Sequence, residues 1–110
     1  MKTIVISTFI LSLALLPLNA SVYKGQKYFK KNCLSCHGKA LKFVTEKSYD
    51  TWLEYLEGEG DVLYDVHTDS DEASAAMEYF DNDHYRRKFE HYRDFFLEYA
   101  SDTGNIPACE

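Results

Sequence analysis

The segment Cys33-Leu34-Ser35-Cys36-His37 packs the most chemistry of this sequence into the shortest span. On a helix, thiols three residues apart lie on one face, so each can bond a separate vinyl group of one flat ring. The imidazole that follows is then carried beneath the ring's iron. This C-x-x-C-H spacing is the attachment pattern of a c-type haem. Once the ring is tethered, ligation by His37 becomes intramolecular, and even an imidazole of modest affinity holds the iron.

Other uses of the two cysteines fit less well. A thioredoxin-like dithiol needs a βαβ setting that the sequence lacks, and a plain disulfide stands beside it as a lesser alternative. A zinc site needs a second ligand pair, for which Cys109 and the remaining histidines are badly spaced. The acidic run from Asp65 to Glu78 lacks the central glycine and ligand order of a calcium loop, and reads as a solvated face.

Export would suit haem attachment of this kind, which takes place outside the cytoplasm. The N-terminus has the form of a signal peptide: Lys2 as its only charge, an apolar run from Ile4 to Leu16, Pro17 as a breaker, and Ala20 before Ser21. The run falls short of the roughly 20 residues that a membrane-spanning helix needs, so no permanent span is expected. Cleavage after Ala20 is the reading, with an uncleaved anchor as the alternative, and periplasmic location follows. Removing 20 of the 110 residues leaves 90 for one domain, 21–110. That is near the size at which an apolar core alone is marginal, and a covalent haem would supply apolar bulk.

The chain carries 12 Lys and Arg against 18 Asp and Glu, a net charge of −6, which argues against nucleic acid as a partner. The charges are segregated. Seven lysines and one acid lie between Lys24 and Lys47, whereas twelve acids and no Lys or Arg lie between Asp50 and Asp83.

The elements that must position the motif read as helices. Gly25, Phe29 and Cys33 recur at i, i+4 and i+8, which predicts a helix from Val22 to Cys36, followed by a lysine-rich loop to about Lys47. Tyr49, Trp52, Leu53 and Leu56 predict a helix over 49–57, capped by Ser48 and stopped by Gly58 and Gly60. Asp61 to Thr68 reads as irregular or briefly extended. A further helix is expected from Asp69, with Glu72 as its reciprocal capping partner, to about Phe80. Tyr85, Phe89, Tyr92, Phe96 and Tyr99 mark the last and clearest helix, ended by Gly104 and Pro107.

With these residues in place the sequence resembles the small soluble monohaem cytochromes c. Gly25, Phe29 and Cys33 stand at the spacing of that family's first helix, Phe96 and Tyr99 resemble the aromatic pair of its last helix, and Gly38 after the histidine is usual. The resemblance implies an all-α, cytochrome c-like bundle of about four short helices around one covalent haem c. Cys33 and Cys36 would bind the haem, and His37 would be the proximal iron ligand. Two familiar prolines are missing, since position 49 is Tyr and Met77 is followed by Glu78.

The sixth iron ligand therefore stays open among Met77, His67, His84, His91 and an unfilled position. Met77 leads, as the one methionine besides the initiator and because it precedes the last helix as the family's ligand does. The expected role is a periplasmic carrier of single electrons rather than an enzyme. Its lysines Lys24, Lys27, Lys30, Lys31, Lys39 and Lys42 would steer it to redox partners with acidic docking faces. The alternatives are a haem enzyme or small-ligand sensor with an open iron, and a docked haem subunit of a larger oxidoreductase. Cys109 is left over as a free or intermolecularly paired thiol.

Overall fold

Two long helices, α1 (Leu18–Asn32) and α7 (Asp83–Glu98), form the frame on which the rest of the chain hangs. The structure is a computed structural model that describes residues 18–106. Between the two helices run α2 (Leu34–His37), α3 (Ala40–Val44), α4 (Tyr49–Tyr55), a 3-10 turn at Gly58–Gly60, α5 (Asp61–Thr68), a 3-10 segment at Asp71–Ala76, and α6 (Met77–Phe80). No strand occurs among the described residues, so the architecture is all-helical. None of their helices is long and apolar enough to cross a membrane.

α1 and α7 share the most extensive packing between any two described elements. Gly25 makes it possible: a Cβ there would run into the His91 carbonyl and the Phe95 side chain. Phe29, Phe95, Phe96 and Tyr92 fill the space beside this contact and form the core with Val44, Trp52, Tyr85 and Phe89. Trp52 is oriented by its indole N–H, which donates to the Val44 carbonyl at 2.8 Å. Ser48 caps α4 by accepting from the Thr51 N–H at 3.2 Å, as its sequence position suggested. Asn82 caps α7 by accepting from the His84 N–H at 2.9 Å.

Four stretches differ from the sequence-based expectation. The first helix breaks at Cys33, whose φ of −120° lies off the helical value, and resumes as α2. The break is slight, because the His37 N–H still reaches the Cys33 carbonyl at 2.9 Å. The expected lysine loop contains α3, since Ala40 and Val44, four residues apart, turn the same way into the core. Asp61–Thr68 is helical rather than irregular; it starts from Gly60 at φ 100° instead of from a side-chain cap. Asp69 closes that helix through its N–H to the Asp65 carbonyl at 2.9 Å and does not open the next one. The following segment begins at Asp71 as a 3-10 turn without a side-chain cap, so the expected box with Glu72 does not form.

Most of the expected leader lies outside the described residues, as do Pro107 and Cys109. The expected cut after Ala20 falls inside α1, which already runs from Leu18.

Candidate cofactor site

A cavity of about 400 Å³ opens between α2, α5 and the core. This is within the range of roughly 300–1,000 Å³ common for small-molecule and cofactor sites. Phe29, Phe43, Trp52, Leu63, Phe80 and Phe96 make its walls apolar. Cys33, Cys36 and His37 lie along one side, so the motif read from the sequence borders a space that could hold a flat apolar body.

His67 lines the same cavity from α5. Its ring centroid lies 5.9 Å from that of His37, with the ring planes at 80°. Two imidazoles on opposite sides of one metal ion, with metal–nitrogen bonds of about 2.0 Å, would have centroids roughly 6 Å apart. The spacing leaves room for one metal ion between the two rings. The hydrogen bonding of His67 fits as well. Its Nδ1 lies 2.7 Å from the Leu63 carbonyl one turn back, which can accept only if Nδ1 carries the proton. That tautomer leaves the Nε2 lone pair free for a metal. Phe80, with its ring centroid 4.2 Å away, packs against the His67 ring, and Phe43 at 4.5 Å does the same for His37.

The electrostatics favour neutral imidazole at His37. Burial lowers its pKa from the ordinary 6.5, and the nearby His67 pushes in the same direction. A neutral imidazole is the form that binds metal. Burial, and then the neighbouring Cys36, raise the Cys33 thiol to about 12, so that it stays protonated at neutral pH. Cys36 is exposed, and both cysteines are free thiols. Thioether formation adds the S–H across a vinyl double bond, sulfur to one carbon and hydrogen to the other, and both thiols retain the sulfur and hydrogen this needs.

The remaining expected ligands are elsewhere. Met77 does not line the cavity; it is half-buried against the core, and its sulfur lies 3.8 Å from the Thr68 hydroxyl. His84 is exposed at the start of α7, beside Arg87. His91 sits at the α1–α7 crossing, where its Nδ1 is 2.8 Å from the Ser21 hydroxyl, which also donates to Asp94. None of the lysines expected to ring the motif lines the cavity, but Lys47 does. The sequence also gave no sign of the polar inner wall, where the Asn32 side chain donates to the Tyr92 hydroxyl at 3.1 Å and that hydroxyl pairs with Tyr79 at 2.6 Å. Periodicity marked Tyr92 as core, and nothing local couples it to residues 60 and 13 positions away.

No group of three or more His, Cys, Asp and Glu side chains that could cage a metal ion occurs among the described residues. The site offers two imidazoles and two thiols around an apolar space. Comparison with protein-family models, curated proteins and solved structures finds no match.

Proposed function

We propose that this protein is an exported electron-transfer protein that holds one covalent c-type haem between two histidines. Cys33 and Cys36 would form the thioethers, His37 would be the proximal ligand, and His67 would take the distal place first expected of Met77. One observation carries the reading: the C-x-x-C-H residues and a second, correctly spaced imidazole converge on a single apolar cavity.

When bound, the haem supplies a reversible one-electron exchange at its iron. The chain's own part is to tether, orient and insulate. Leu63 fixes the tautomer of His67 through its carbonyl, and Phe43 and Phe80 hold the two rings in place. Two imidazoles favour a lower reduction potential than an imidazole with a thioether. The leader read from the sequence supports a periplasmic setting, and the lysines outside the cavity support encounter with acidic redox partners.

Optical and electron paramagnetic resonance spectra of the haem-loaded protein test the ligand set. The wild type is expected to be low-spin without a sulfur-to-iron band. His67→Ala should turn it high-spin and let it bind cyanide or carbon monoxide readily, while Met77→Ala leaves it unchanged. A sulfur band lost in Met77→Ala would return the distal place to Met77. A high-spin wild type would favour the open-iron enzyme or sensor.

A further inference from the structure

Lys47 is the one Lys or Arg on the cavity wall among the described residues. It is half-buried, with its Nζ 5.3 Å from the centre of the Trp52 ring and 5.6 Å from that of Tyr55. Its backbone is fixed from the turn that follows α7: the Lys47 carbonyl accepts from the Ser101 N–H at 2.9 Å, and the Tyr49 N–H two residues on donates to Asp102 at 2.8 Å. The ion pairs among the described residues join Arg86 to Asp61, His91 to Glu90 and Arg93 to Asp94, and none includes Lys47. An ammonium held against two aromatic faces loses hydration, and a flat apolar body in the cavity would strip away more. Such a charge is costly unless an anion faces it.

We propose that Lys47 is a carboxylate-binding subsite of the cavity, pairing with an acid side chain of the cofactor held there. Resting as it does on the haem reading above, the inference assigns Lys47 to a propionate, the only anionic substituent at a haem's edge. Trp52 and Tyr55 set the position of the ammonium, and the Ser101 and Asp102 contacts tie that position to the turn that follows α7. A fixed positive charge beside the haem favours the form that carries the extra electron, so Lys47 also raises the reduction potential.

Redox titration of haem-loaded wild type, Lys47→Met and Lys47→Arg tests this. Lys47→Met should lower the midpoint potential and Lys47→Arg should restore it, with covalent haem staining equal in all three. Equal potentials in fully loaded proteins overturn the subsite. A second readout needs no variant: acetic anhydride labelling of the wild-type holoprotein, resolved by mass spectrometry, should modify Lys47 several-fold more slowly than the exposed Lys39 and Lys42. Labelling at the same rate as those two also overturns it. A wild type without covalent haem would instead remove the parent reading, and this subsite with it.

Discussion

Cys33 and Cys36 are three residues apart and have opposite surroundings. Cys33 is largely enclosed beside the Tyr79–Tyr92 pair, and its thiol is pushed up to about 12, whereas Cys36 is exposed. Alkylation requires a thiolate that the reagent can reach. In the haem-free protein, iodoacetamide should therefore modify Cys36 at least tenfold faster than Cys33 near pH 8, as peptide mapping would measure; equal rates would place Cys33 outside the cavity. His37 makes a pH prediction. Its folded pKa lies below the unfolded 6.5, so the unfolded state binds more protons, and the contribution to stability is fully present above that value. The apoprotein should lose stability as pH falls through about 6.5, and His37→Gln should flatten that slope in urea titrations. These residues were legible in the sequence because their relation is local, fixed by neighbouring positions on one chain segment. His67 was legible only as one of four candidate ligands, since its place beside His37 depends on where the fold lays α5.

At the level of elements, α5 was the stretch hardest to read. Val62, Val66 and Thr68 are β-branched, and no polar side chain caps its start, so local preference points away from a helix. The helix is set instead by the Gly58–Gly60 turn, with Gly60 at φ 100° and its carbonyl accepting from the buried Tyr85 hydroxyl at 2.6 Å. That bond reaches 25 positions along the chain, beyond any local pattern. Tyr85→Phe should cost about 1 kcal/mol in urea unfolding, from loss of a buried hydrogen bond. It should also speed cyanide binding to the loaded protein, because α5 carries His67; unchanged binding kinetics would show that α5 is held elsewhere. The first and last helices were legible, since Gly25, Phe29 and the aromatic stripe of α7 keep a regular period and face each other. Gly25→Ala should lower stability by about 1–3 kcal/mol, because the helices must separate to admit the methyl group. A change of a few tenths would mean that the crossing yields easily.

Over the whole molecule, the all-helical described residues surround one apolar cavity with many of their buried aromatic side chains. A core built around so large a space gains much of its cohesion when the space is filled, so the haem-loaded protein should melt well above the apoprotein. Charge is distributed on the same scale. The lysines between Lys24 and Lys42 lie outside the cavity, and in a protein of net charge −6 they form its basic region. Electron transfer to an acidic partner should slow as salt rises, since exposed charges are screened beyond roughly 10 Å at 0.1 M. Reversing Lys27 and Lys30 should reproduce the effect at low salt, and a rate indifferent to both would deny that region a part in docking. The expectations for melting and electron transfer depend on the chain acquiring a haem. The most direct measurement is the intact mass of the denatured chain after expression with export and cytochrome c maturation. The account predicts the mass of one haem added per chain, lost in Cys33→Ala/Cys36→Ala. A wild-type chain of unmodified mass, produced under conditions that load a control cytochrome c, would contradict it.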